Sequence, residues 1–265
     1  MELSLEKVLE ASKALIEEVG QYLREEKSKA ITIEEKDRNH LVSYVDRTAE
    51  EKLVKGLGEI LPGSTFLTEE ATVEQKEGDL RWIIDPLDGT TNFLHQVPIF
   101  SISVALQQKG ETVLGIVYEV NLRECFYAYK GSGAFLNGNA IKVSQNGKLE
   151  NALLGTGFPY HDYRRAQQYL TVFEHFFRET RGLRRIGSAA VDLAYVACGR
   201  YDAFFEYGIS PWDVAAGVFL VQEAGGIVTD FQGGDKYHSG QEVIASSTNL
   251  YPEMRKVIEP GFYPE

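Results

Sequence analysis

The spacing of apolar residues changes character twice along this 265-residue chain, and those changes restrict it to a layered mixture of helix and sheet. Over residues 3–26, Leu5, Val8, Leu9, Ser12, Ile16, Val19 and Leu23 recur on one face with Glu and Lys opposite, which predicts an amphipathic packing helix. Residues 28–40 are polar and read as a short strand or loop. Residues 46–60 return to helix, with Leu53, Val54 and Leu57 as the buried stripe and Pro62-Gly63 as the stop. From Arg81 the period falls to two. Trp82, Ile83 and Ile84 run to Asp85-Pro86, and Ile102, Val104 and Leu106 alternate with Ser101, Ser103 and Ala105. Val113 to Tyr118 and Glu124 to Tyr129 follow, with turns at Lys109-Gly110, Asn121, Lys130-Gly131 and a tight hairpin at Asn137-Gly138. This succession predicts an antiparallel sheet. Past residue 150 strands (152–156, 183–186, 203–206, 227–229, 243–245) alternate with helices (162–180, 188–197, 211–224). The expected organisation is an α+β half over 1–148 and an α/β half over 149–265, packed as one compact unit.

The strand ends carry the chemistry. In Trp82-Ile83-Ile84-Asp85-Pro86-Leu87-Asp88-Gly89-Thr90-Thr91-Asn92 an apolar strand delivers Asp85 to its carboxyl end, where Pro86 cannot continue a ladder. On a straight strand positions 85 and 88 face opposite ways, but across a turn they converge. Two carboxylates held close repel unless a cation lies between them, and Mg²⁺ takes oxygen ligands. The Leu87 carbonyl is a further oxygen, Gly89 permits close backbone approach, and amides at the start of a following helix suit phosphate. A capped turn with two surface aspartates is the plainer alternative for so short a pattern. Glu69, after Phe66-Leu67, could complete a carboxylate cage or be one of a solvated pair. Asp213, opening the helix at Pro211-Trp212, reads as a ligand or a first-turn cap. Asp46 could cap its own helix or orient the Thr90 hydroxyl. No G-x-S-x-G, H-E-x-x-H, Walker A or C-x-x-C pattern occurs, and His40, His95, His161, His175 and His238 lack metal-binding spacing.

Taken together, TEEA upstream, WIIDPLDGTTNF, and GISPWDVAAGVFLVQEAGG downstream resemble the inositol monophosphatase family, over about Leu41 to Gly226. That resemblance implies an αβαβα sandwich and a lithium-sensitive, Mg²⁺-dependent phosphatase, commonly a homodimer, with two or three Mg²⁺ per site. It makes Glu69, Asp85, the Leu87 carbonyl, Asp88 and Asp213 the metal ligands. It places phosphate at Gly89 and Thr90, and gives Thr90, backed by Asp46, the attacking water. Gly187, Ser188, Ala189 and Glu206 match substrate-facing positions, with Leu87, Asp88 and Asp213 lining the same side. The implied substrate is a small phosphorylated polyol, myo-inositol 1-phosphate first. Thr91-Asn92 after Asp-Gly-Thr replaces the Lys usual in relatives acting on adenosine 3′,5′-bisphosphate. Fructose-1,6-bisphosphatase activity, another sugar or nucleotide phosphatase, or a regulatory binding role on this fold are the alternatives. His40-Leu41-Val42-Ser43 departs from the usual Asp-Leu-Val-Thr, next to a flap expected at Glu34 to Arg38.

Composition narrows the partners. With 27 basic and 39 acidic residues the net charge is −12, so the overall field does not steer the chain to nucleic acid or an anionic membrane. A phosphate substrate therefore needs cations to mediate. Arg164, Arg165, Arg181, Arg184 and Arg185 form the one basic group in the sequence, expected as a dimer surface or solvated face. Two cysteines, Cys125 and Cys198, are no disulfide framework and read as small buried hydrophobes. No signal-peptide pattern opens the chain and no run of about 18 apolar residues occurs, so a cytoplasmic protein is expected.

Overall fold

The computed structural model describes residues 4–27, 29, 33–37, 40–159, 163–239 and 241–264, with only the backbone described for 33–37 and 40–43. The expectations for the His40 side chain, Arg38 and His161 lie outside these residues. Two helices, α1 (Leu5–Lys27) and α2 (Tyr44–Ile60), flank an antiparallel hairpin of β1 (Ile33–Asp37) and β2 (His40–Ser43). A seven-stranded sheet follows: β3 (Thr65–Thr68), β4 (Leu80–Asp88), β5 (Ser101–Gln108), β6 (Glu111–Glu119), β7 (Glu124–Tyr129), β8 (Ala134–Leu136) and β9 (Asn139–Ile141), in chain order across the sheet. All its pairings are antiparallel except β3 with β4. The five-residue helix α3 (Thr90–Leu94) interrupts it. The second sheet runs β11 (Gly182–Arg184), β10 (Leu153–Thr156), β12 (Ala203–Tyr207), β14 (Glu242–Ser246), β13 (Ile227–Thr229). Helices α4 (Ala166–Glu179), α5 (Ala189–Ala197), α6 (Pro211–Glu223) and α7 (Tyr251–Phe262) complete the chain.

Strand periodicity decides the layering. Trp82, Ile84, Ile102, Val104, Leu106, Leu114 and Ile116 face one way, into a core with Ile16, Val19 and Leu23 of α1 and Leu53 and Leu57 of α2. Their sequence neighbours Ile83, Ala105 and Val117 face the other way, onto α5 and α6. That face is built of small residues because α6 runs close: a Cβ on Gly115 would lie 3.0 Å from the Ala216 carbonyl oxygen. The same α5 and α6 core takes Phe204, Val243 and Ala245 from the second sheet. Leu154, Ala203, Phe205 and Ile244 point away from it, into a third core under α4 and α7. The order is helices, sheet, helices, sheet, helices, the αβαβα sandwich the sequence implies.

Cys125 and Cys198 are half-buried and unpaired, not fully interior as the sequence suggested. No helix among the described residues is long and apolar enough to cross a membrane.

Candidate active site

The sequence reading ends β4 at Asp85, but the strand continues to Asp88 through a bulge. Asp85 pairs with Ser103 and Asp88 with Ser101, so three steps on β4 match two on β5. Ser101 and Ser103 share a face, and the extra residue therefore brings Asp85 and Asp88 to one face as well. Pro86 has no N–H to lose there. The bulge is fixed locally, as the Leu87 N–H donates to Asp85 Oδ1 at 2.9 Å. Gly89 then reverses the chain at φ 99°, where a Cβ would crowd the Gly187 and Ile99 carbonyl oxygens at 3.1 and 3.2 Å.

From this corner the pocket assembles. Glu69, Asp85, Leu87, Asp88, Gly89 and Thr90 line it from the first sheet, and Gly187, Ser188, Ala189, Glu206 and Asp213 from the second half of the chain. Asp46 stands behind. It is 1% exposed, and its Oδ1 accepts from the Thr90 hydroxyl at 2.9 Å. Asn92 ties the two sides by donating to the carbonyls of Ile99 and Ile186, both at 2.7 Å. Asp88 Oδ2 accepts from the Ser188 hydroxyl and the Ala190 N–H, each at 2.7 Å, at the start of α5. Asp213 Oδ2 accepts from the Ser210 N–H at 2.6 Å, so it braces the start of α6 and lines the pocket as well.

Electrostatics follow from crowding. Burial first, then the charges of Glu69, Asp88 and Asp213, push the Asp85 carboxyl well above the usual range. Asp213 is raised by burial and by Asp88 and Glu69. Asp88 is raised by burial to about 6, against the opposing pull of its Ser188 and Ala190 hydrogen bonds. Glu206 rises through burial and Asp213. Among the described residues no three His, Cys, Asp or Glu side chains form a ready metal cage. The carboxyls ring the pocket, three with one oxygen drawn back to a donor. Their chemistry is that of a hard-cation site: oxygen donors only, unfavourable together without positive charge.

Sequence reasoning passed over Thr156, Gly157, Asp192, Ser210 and Trp212, which also line the pocket, and it set Arg185 in a surface group. The arginines divide their work: Arg185 faces the pocket, while Arg165 pairs with Glu242. Two signals were available, Gly155-Thr156-Gly157 at a strand end and a lone acid, Asp192, inside the apolar run Ala189 to Ala197.

The sequence pattern of the inositol monophosphatase family matches residues 4–260. The chain belongs to this family. Among its relatives, the Nus factor SuhB of Pseudomonas aeruginosa is 43% identical over 244 residues, 90% of either chain. The extragenic suppressor protein suhB from Bartonella henselae superposes with a TM-score of 0.91 at 36% identity, over 96% of this chain and 99% of that one. A Thermotoga maritima IMPase gives 0.87 at 38% identity, over 96% and 97%. Inositol monophosphatase-type layering thus extends over nearly the whole chain.

Proposed function

We propose that this family member is a Mg²⁺-dependent phosphatase acting on the phosphate monoester of a small polyol, with myo-inositol 1-phosphate as the first substrate to test. The observation that carries this reading is the arrival of Glu69, Asp85, Asp88 and Asp213 from three separated stretches at one pocket, beside Gly89 and Thr90. Glu69, Asp85, the Leu87 carbonyl, Asp88 and Asp213 are the groups that would hold Mg²⁺. When bound, the ion supplies positive charge that acidifies water and offsets charge on the phosphate and leaving oxygen. The chain's own part is positioning. The amides of Gly89 and Thr90 receive phosphate oxygens. The Thr90 hydroxyl, held by Asp46, orients the attacking water, and Glu206 meets a hydroxyl of the polyol. The name Nus factor on relatives supports a second reading, a regulatory binding protein of this fold, against which the net charge of −12 weighs if the partner is RNA.

The test is phosphate release from myo-inositol 1-phosphate, fructose 1,6-bisphosphate, histidinol phosphate and adenosine 3′,5′-bisphosphate, with Mg²⁺, with EDTA and with Li⁺. Mg²⁺-dependent release, highest on the inositol ester and inhibited by Li⁺, is expected. Absence of release from every ester would remove the phosphatase reading, and retention of RNA at physiological salt would favour the second.

A further inference from the structure

The face of β5 that looks onto α5 and α6 begins with two buried serines. Ile102, Val104 and Leu106 point into the core under α1 and α2, so Ser101, Ser103 and Ala105 point the other way. Ser101 is 0% exposed and lies opposite Asp88 in the register of β4 with β5, and Ser103 lies opposite Asp85. A buried hydroxyl is unfavourable unless it is hydrogen-bonded, and both serines reach across to the second half of the chain for a partner. Ser103 donates to the Trp212 carbonyl at 3.2 Å. Ser101 Oγ lies 3.1 Å from Ser188 Oγ, 87 residues on.

Counting hydrogens gives the direction of that contact. Ser188 has one hydroxyl hydrogen, and it goes to the Asp88 carboxylate, to Oδ2 at 2.7 Å. The donor between the two serines is therefore Ser101. Ser188 Oγ also accepts from the Val191 N–H at 3.3 Å, as the N-cap of α5. A hydroxyl has one hydrogen and two acceptor positions, so with Ser101 in place all three are taken. The Ser188 hydroxyl then has a single orientation, and each bond it accepts strengthens the one it donates. Without Ser101 one acceptor position is empty and the bond to Asp88 is weaker. Ser101 itself does not line the pocket.

We propose that Ser101 is a positioning residue for the cation: by donating to Ser188 it fixes the hydroxyl that holds Asp88 Oδ2, and so the orientation of Asp88 as a metal ligand. This rests on the reading of Asp88 as a Mg²⁺ ligand given above and extends it to a residue outside the pocket lining.

The experiment titrates Mn²⁺, an ion that favours the same oxygen ligands, into the full chain and into Ser101→Ala, Ser188→Ala, the double variant and Ser246→Ala, with free Mn²⁺ read by electron paramagnetic resonance. Ser246 is an equally buried serine whose hydroxyl donates to the Asp202 carbonyl at 3.3 Å, away from the pocket. Groups that orient a metal ligand are worth about 10–100-fold in affinity, so Ser188→Ala is expected to weaken Mn²⁺ binding by about 10-fold or more. Ser101→Ala, one bond further out, is expected to weaken it by about 3- to 10-fold. On the Ser188→Ala background the Ser101 change is expected to add nothing, because it acts through Ser188. Ser246→Ala is expected to lower the melting temperature in EDTA, as a lost buried hydrogen bond does, and to keep the parent's Mn²⁺ affinity. Unaltered affinity in Ser101→Ala, additive losses in the double variant, or an equal loss in Ser246→Ala overturns the proposal, and a parent that binds no Mn²⁺ overturns it together with the metal site. Phosphate release on the same preparations keeps the two readings apart. A parent with this Mn²⁺ pattern that releases no phosphate sinks the phosphatase reading alone, whereas an active parent with the same affinity in Ser101→Ala sinks this one alone.

Discussion

One inserted residue decides whether Asp85 and Asp88 can act together. Had β4 stayed regular, Asp88 would point into the core under α1 and α2, with Trp82 and Ile84. The bulge turns it instead towards Ser188 and Ala190. Asp85 and Asp213 have no such freedom, since each is buried among other carboxyls. Replacing either by Asn removes one carboxylate from the ring and with it one of the groups proposed to hold Mg²⁺. Asp85→Asn and Asp213→Asn are each expected to lower kcat by about 10²-fold or more, on the scale of losing a main electrostatic contact to the reacting group. Because like-charge repulsion is relieved, both variants should melt no lower than the parent in EDTA. Asp46→Asn acts through Thr90 and should cost less, about 10-fold, as for groups that orient a working side chain. Steady-state kinetics with thermal melts on the same preparations check all three, and near-normal turnover in both ring variants would remove the mechanism.

At the scale of elements, α2 is a brace with two points of attachment. Asp46 in its first turn holds Thr90, and Glu50, one turn on and fully buried, holds the loop after β3. Glu50 Oε1 accepts from the Thr68 hydroxyl and from the N–H and hydroxyl of Thr72, and Oε2 from the Glu70 N–H, all between 2.7 and 2.8 Å. Glu69 lies within this clasp. Glu50→Gln puts an amide donor where only acceptors are wanted, so at least one buried donor loses its partner. A loss of about 1–3 kcal/mol in urea unfolding is expected, with weaker Mn²⁺ binding by electron paramagnetic resonance. Unchanged stability would show that these hydrogen bonds do not hold the loop in place. This brace was not legible in the sequence, because its value lies in pairings 18 to 22 residues apart. What was legible follows period: α1, α5, α6 and β5 to β7 lie within a residue or two of their apolar patterns. Pro86 read as a stop because a bulge and a turn demand the same residues, and only the partner strand tells them apart. The helix α7 escaped the pattern, since Pro252 and Pro260 stand within it, although Pro in the first turn is compatible with a helix. In the site, the motif residues and, on the opposite wall, Gly187, Ser188, Ala189 and Glu206 were named from the sequence, whereas Asp192 and Arg185 join the lining only because the second sheet packs beside the first.

For the molecule as a whole, three apolar cores hold the layers and the acids are gathered where the middle helices begin. Without a cation that gathering opposes the fold, and pH shows by how much. Burial pushes the Asp88 carboxyl up to about 6 in the fold, against about 4 in the unfolded chain, so between these values the folded chain holds more protons. Stability must then fall as pH rises through that window, and the fall continues higher for Asp85 and Asp213, which are raised by the same causes. This slope is opposite to that of a salt-bridged aspartate, whose stability contribution is lost on acidification. A divalent cation reverses the sign of the local charge and should recover the loss. In EDTA the melting temperature is expected to drop between about pH 5 and pH 7.5. Mg²⁺ at about 100 times its dissociation constant contributes about 2.7 kcal/mol to the folded state, roughly 5–10 °C for a chain of this size. Asp88→Asn should flatten the slope and shrink the Mg²⁺ shift together, because one carboxylate is the source of part of both. Melting curves across pH, with and without Mg²⁺, for the parent and this variant decide it: a parent whose stability rises over that window, or a variant with the parent's full Mg²⁺ shift, would mean that these acids are balanced by something other than a cation.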